Sequence, residues 1–236
     1  MLAKRPDGYH ELDTLFERIS LGDTLTLRNI PAGIRLRCSS RGIPKGRGNI
    51  VVKAARLLQQ KYGIKTGVEI TLQKRIPVSA GLGGGSSNAA TVLVGLNQLW
   101  HLGLTRKKLI QLAAQLGSDV PFFMMDTPYA RGTGRGEVLK PVKGPRKKLW
   151  HCLVKPPFGI STRQAYAASS RLLAPPPVSP ANAGRLQGNR RKRVVGLTPP
   201  RGDVKMLTRY LERGDQEPLS GLLTNSLELV LNKRLK

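Results

Sequence analysis

Two short stretches alternate apolar and polar residues at period two: Asp23 to Arg28 (DTLTLR) and Gly33 to Cys38 (GIRLRC). They are separated by Asn29 to Ala32, which contains Pro31. The pattern predicts two antiparallel strands joined by a turn. A change to helical spacing follows. Val51, Ala54, Ala55, Leu58 and Tyr62 share one face of a helix over Ile50 to Tyr62, with Asn49 as N-cap and Gly63 just past its end. Val68 to Leu72 reads as a further strand, Ser87 to Trp100 as a second helix. A third helix opens on Thr105 as N-cap and runs through Leu109, Leu112, Ala113 and Leu116 to Gly117. Leu149 to Val154 reads as a last strand, and residues 204 to 233 return to helical spacing, from Met206, Leu207, Tyr210 and Leu211 to Leu227 and Val230. Strands grouped ahead of helices, rather than strictly alternating with them, predict an α+β fold.

Composition limits the possible functions. The chain has 236 residues, 39% of them hydrophobic, enough for a core. Cys38 and Cys152 are too few for a disulfide framework and do not have zinc-site spacing, so a reducing compartment, the cytoplasm, is expected. No stretch approaches the roughly 18 apolar residues of a membrane span, and no apolar h-region follows Met1, so neither a span nor a signal peptide is expected. The net charge is +26, concentrated in residues 131 to 210, which alone carry 18 basic and 2 acidic side chains. Within that stretch, about 172 to 201 is rich in proline and arginine and reads as a long exposed basic loop. Such charge motivates a nucleic-acid-binding alternative. Nucleic acid is nevertheless an unlikely partner, because no aromatic residue lies between Tyr166 and Tyr210 to stack bases. Carboxylates are scarce: between Asp23 and Asp203 they are Glu69, Asp119, Asp126 and Glu137.

The most informative stretch runs from Lys74 to Val94. Gly81, Gly83, Gly84 and Gly85 leave the backbone free to approach a bulky anion, and Ser86, Ser87 and Asn88 then open an apolar helix. Unpaired amides at a helix N-terminus, with hydroxyls beside them, form a phosphate cradle. No Lys follows these glycines, which excludes a Walker loop, and no acidic residue stands about twenty positions on, which excludes the dinucleotide fingerprint. A flexible glycine hinge is disfavoured by the immediate start of the helix. Downstream, Asp119 lies between Gly117, which ends a helix, and Pro121, which prevents its continuation. Alone it reads as a turn or cap residue. In a phosphate-binding protein, a half-buried Asp119 beside the positive site would stay ionised and could accept a proton from a hydroxyl nucleophile.

Pro77 to Ala90 resembles the second motif of the GHMP kinases. Together with residues 4 to 12 (KRPDGYHEL), 116 to 123 (LGSDVPFF) and 130 to 137 (ARGTGRGE), it is similar to the 4-diphosphocytidyl-2-C-methyl-D-erythritol kinase branch of that superfamily. The resemblance implies transfer of a phosphoryl group from ATP, with Mg2+, to the 2-hydroxyl of 4-diphosphocytidyl-2-C-methyl-D-erythritol in the non-mevalonate isoprenoid precursor pathway. It implies Asp119 as catalytic base. Pro77, Val78, Ser79, Ala80, Gly81, Leu82, Gly83, Gly84, Gly85, Ser86 and Ser87 are implied as the phosphate-holding loop, with Asn49 and Lys74 lining the nucleotide site. Tyr9, His10, Thr162 and Tyr166 are implied to bind the cytidine end of the acceptor; taken alone, Tyr9 and His10 read as ordinary strand or turn residues. The implied fold is a ribosomal-protein-S5-like N-terminal domain over 1–145 and a ferredoxin-like C-terminal domain, incomplete here, over 146–236. A GHMP kinase for another small alcohol is the nearer alternative, opposed by Tyr9 and His10. The family's opening strand, with the Lys that pairs with the catalytic Asp, and its Gly/Ser-rich third motif have no match here. The chain is therefore expected to be a truncated form that binds nucleotide weakly or turns over poorly. Oligomeric state and metal ligands are not legible.

Overall fold

The computed structural model describes residues 3–145 and 149–155. In chain order these form β1 (Ala3–Lys4), β2 (His10–Glu17), β3 (Thr24–Ile30), β4 (Ile34–Cys38), α1 (Ile50–Tyr62), β5 (Gly67–Gln73), α2 (Gly84–Leu99), α3 (Arg106–Leu116), a 3₁₀ turn (Pro121–Met124), β6 (Tyr129–Gly134) and β7 (Val138–Pro141). Two sheets with separate helices make this an α+β fold, as the grouping of strands predicts. Thr162, Tyr166, the basic stretch 172–201 and the helical pattern of 204–233 lie outside the described residues. Among the described residues no helix is long and apolar enough to cross a membrane.

One sheet has the order β3-β5-β4, the other β1-β2-β6-β7. The two alternating strands of the sequence do run in opposite directions, but they do not pair. The strand β5 lies between them, antiparallel to β3 from Thr24↔Gln73 to Ile30↔Gly67 and parallel to β4 from Ile34↔Val68 to Cys38↔Leu72. Its alternate residues Val68, Ile70 and Leu72 are buried, so β5 gains a ladder on each edge and a core face that a β3–β4 hairpin would leave uncovered. Both helix caps of α1 are as the sequence predicts: the Asn49 side chain accepts from the amide of Val51, and Gly63 takes the left-handed conformation at φ 64°.

The core forms where α1 and α2 pack on the first sheet. Val51, Ala54, Ala55 and Leu58 of α1 meet Val68, Ile70 and Leu72 of β5, Ala89, Val92, Leu93 and Leu96 of α2, and Leu112 of α3. Burying a side chain of Val, Leu or Ile size contributes about 1.5–3 kcal/mol, so this seam fixes where the start of α2 lies. The last expected strand, Leu149 to Val154, is not one: its residues have no regular structure, and Trp150 and Val154 are 85% and 84% exposed.

Candidate functional site

The glycine-rich segment leaves β5 at Gln73 and crosses to α2 without regular structure. It turns through left-handed positions at Ser79 (φ 56°), Gly81 (φ 72°) and Gly83 (φ 63°). The helix begins at Gly84, three residues before the predicted Ser87, because two of the glycines join its first turn. Its N-cap is Gly83, which has no side chain with which to cap. The first intrahelical bond is the amide of Ser87 to the carbonyl of Gly83 at 2.9 Å, so the amides of Gly84, Gly85 and Ser86 have no partner within the helix. No acidic residue occupies this first turn. By contrast, Asn49 caps α1 and Thr105 caps α3 with their side chains. The start of α2 is thus an open set of donors at the positive end of a sixteen-residue helix.

Two contacts fix the shape of this start. A Cβ on Gly84 would lie 2.9 Å from Cγ2 of Ile76, and one on Gly83 3.0 Å from Cζ of Phe123. The second contact joins the loop to the segment that carries Asp119. Ile50, the first residue of α1, sits between the same two parts: its Cγ2 lies 3.6 Å from the Cβ position of Gly85, and its Cδ1 4.0 Å from that of Gly117.

Asp119 stands in the turn between α3 and the 3₁₀ turn and is half-buried. Among the described residues it forms no ion pair and accepts one hydrogen bond, from the hydroxyl of Ser118 at 3.4 Å. Burial pushes its carboxyl above the usual value, and the Ser118 hydroxyl offsets only part of that rise. With no described cation against it, desolvation dominates. On its far side the carboxylate faces the β6–β7 turn, where Oδ1 is 3.8 Å from the Cβ position of Gly136.

The same turn reaches the next candidate residues. The guanidinium of Arg135 lies over the ring of Tyr9, 4.9 Å from its centroid, and Tyr9 is 57% exposed just ahead of β2. His10 opens β2 and pairs with Lys4. Strand β2 continues along β6 from Leu12↔Gly134 to Glu17↔Tyr129. Tyr9 thus touches Arg135, whose neighbour Gly136 faces Asp119, and the segment that carries Asp119 packs on the glycine loop through Phe123.

Two nucleotide-site candidates are used differently. Asn49 is buried with both polar groups engaged, its Oδ1 accepting from Val51 and its Nδ2 donating to the carbonyl of Pro44 at 2.7 Å. It acts as the cap of α1, in agreement with the helix pattern, and one N–H of its amide is taken up by Pro44. Lys74 turns beneath the loop to an ion pair with Asp23, its Nζ 3.3 Å from the Cβ position of Gly84. It touches the underside of the cradle. Residues that sequence reasoning missed are Asp23, Asn88 and Arg135; none has a local spacing signal, since each acquires its place through partners far away in the chain. No group of three His, Cys, Asp or Glu among the described residues is placed to hold a metal ion.

Residues 49–127 match the family model "GHMP kinases N terminal domain". The glycine loop at the head of α2, together with that match, defines the class as a GHMP kinase. A 4-diphosphocytidyl-2-C-methyl-D-erythritol kinase of Pelotomaculum thermopropionicum is 41% identical over 235 residues, covering 99% of this chain and 72% of the relative. One from Geobacillus kaustophilus is 38% identical, with the same coverage of each. A crystal structure of 4-(cytidine 5'-diphospho)-2C-methyl-D-erythritol kinase superposes with a TM-score of 0.63 at 34% identity, covering 96% of this chain and 70% of that one. The chain belongs to the 4-diphosphocytidyl-2-C-methyl-D-erythritol kinase family.

Proposed function

We propose that the chain transfers the γ-phosphoryl group of ATP to the 2-hydroxyl of 4-diphosphocytidyl-2-C-methyl-D-erythritol, within isoprenoid precursor synthesis. The observation that carries this is the half-buried carboxylate of Asp119 on the segment whose Phe123 packs against Gly83 at the uncapped N-terminus of α2. Phosphoryl transfer asks the protein mainly for positioning and charge stabilisation. Residues Pro77 to Ser87 hold the nucleotide phosphates, with the amides of Gly84, Gly85 and Ser86 as donors. Asp119 takes the proton of the acceptor hydroxyl as its oxygen bonds to the γ-phosphorus and the bond from phosphorus to the ADP oxygen breaks. A raised pKa suits this role, because a base is most effective when its pKa approaches the working pH.

Tyr9 and His10, with Thr162 and Tyr166 from beyond the described residues, bind the cytidine end, and the chain of contacts from Tyr9 to Asp119 is the path along which the acceptor lies. Residues 1–145 form the nucleotide-binding domain and 146–236 contribute to the second domain. The absence of an acidic cage among the described residues fits Mg2+ arriving on the phosphates, since Mg2+ is usually held by substrate oxygens, waters and one or two protein groups. Ser86 and Ser87, at the head of α2, would be the hydroxyls to hold such an ion, which would neutralise phosphate charge. The test is incubation with γ-labelled ATP and the diphosphocytidyl alcohol. Label recovered at the 2-position of the acceptor is expected; label released only as inorganic phosphate would refute the assignment.

A further inference from the structure

Asp23 has no place in the proposed chemistry, yet it is the best-satisfied carboxylate among the described residues. Its side chain is fully buried, just before β3. Oδ1 accepts from the backbone amides of Arg75 at 2.7 Å and Ile76 at 2.8 Å. Oδ2 accepts from Nδ2 of Asn88 at 2.8 Å and from the ammonium of Lys74 in an ion pair. Burial alone would raise this carboxyl; the Lys74 ammonium, the two amides and the Asn88 side chain outweigh it and hold the group below its usual value.

The four donors are not grouped by chance. Lys74, Arg75 and Ile76 form the strand-side end of the glycine loop, and Asn88 lies in the second turn of α2 at its other end. Between these ends the backbone has left-handed residues at 79, 81 and 83 and no regular hydrogen bonding, so nothing within the loop sets its span. One carboxylate, on a different element, fixes both ends. The same group holds the Lys74 ammonium beneath Gly84, and Ile76, whose amide it accepts, packs 2.9 Å from the Gly84 Cβ position. The first free amide of the cradle thus rests on two residues that Asp23 places.

We infer that Asp23 is a positioning residue for the nucleotide: by clamping both ends of the glycine loop it sets the spacing of the amide donors, and so governs affinity for ATP without touching it. The inference rests on the reading of this loop as the phosphate site. Preorganised donors lose effect when their supporting contacts are removed, even when every donor remains. Among the described residues, the partners of Asp23 are Lys74, Arg75, Ile76 and Asn88, and neither Tyr9 nor Arg135 is one of them.

The test is titration of ATP with Mg2+, and separately of the diphosphocytidyl acceptor, into the full chain and into Asp23→Asn and Asn88→Ala. Asn88→Ala keeps the carboxylate with three of its donors and so guards against a variant that fails to fold. The expected result for Asp23→Asn is an ATP Kd raised about tenfold or more, the scale of a lost charge-assisted contact, with the acceptor Kd within about twofold. For Asn88→Ala a smaller rise, about threefold to fivefold, is expected in ATP Kd alone. A merely structural role would weaken both ligands together with Tm. Unchanged ATP affinity in a folded Asp23→Asn, or in Asn88→Ala if the former does not fold, or parallel loss of both ligands, would overturn the inference. An unaltered chain that does not bind ATP at all would overturn the phosphate-site reading and the inference with it.

Discussion

The carboxylate of Asp119 faces the backbone of Gly136, with 3.8 Å between Oδ1 and the place a Cβ would occupy. Gly136 has φ +103°, a conformation that other residues adopt only with strain, and the added methyl would also meet Phe16 at 3.5 Å. Gly136→Ala is expected to cost about 1–3 kcal/mol in chemical denaturation and to lower turnover more than ATP affinity, because the turn it distorts covers the base and not the glycine loop.

Asp119 itself destabilises the folded chain. Burial raises its folded pKa above the usual 3.8, so ionisation is harder in the folded state than in the unfolded one. Below 3.8 both states are protonated and there is no penalty; as pH rises through the folded pKa the penalty grows to its full size. Asp119→Asn is therefore expected to match the parent in Tm near pH 3.8 and to exceed it increasingly toward neutrality, as groups kept for chemistry commonly do. Thermal denaturation across pH checks the sign.

Neighbouring glycines at the head of α2 should respond in opposite directions. Alanine favours helix over glycine by about 1 kcal/mol. At Gly85 the new methyl makes ordinary contact, 3.6 Å from Ile50, and Gly85→Ala is expected to keep or raise Tm. At Gly84 it would lie 2.9 Å from Ile76 and 3.3 Å from Nζ of Lys74, both held by Asp23, and Gly84→Ala is expected to lower Tm.

Asn49→Ala removes the cap of α1 and leaves the Pro44 carbonyl without its donor. A loss of about 1–2 kcal/mol in unfolding free energy is expected. A nucleotide-contacting Asn49 would instead show reduced ATP affinity at unchanged stability.

The contrast between these residues shows what the chain reveals of itself. Asn49, Gly63 and Thr105 act through neighbours within a few positions, and their caps follow from local spacing. The glycine loop and Asp119 were legible because their neighbours in sequence, a run of glycines into an apolar helix and a Gly–Pro bracket, are also their neighbours in space. The strand β2 was not, because its polar and apolar residues do not alternate cleanly and its partner β6, with two glycines, comes from more than a hundred residues away. The order β3-β5-β4 was hidden for a similar reason: alternation marks a strand but does not choose its partner. Asp23 owes its role wholly to donors at 74, 75, 76 and 88, which no pattern around residue 23 announces.

The central claim, that Asp119 is the base of a kinase acting on the diphosphocytidyl alcohol, is tested most directly by acceptor-dependent release of ADP from the chain and from Asp119→Asn under saturating ATP. General-base catalysis contributes about 10²–10⁴-fold. The account predicts ADP release that requires the acceptor and falls by about that factor in Asp119→Asn while ATP affinity is retained. Equal, acceptor-dependent release from both proteins would contradict it.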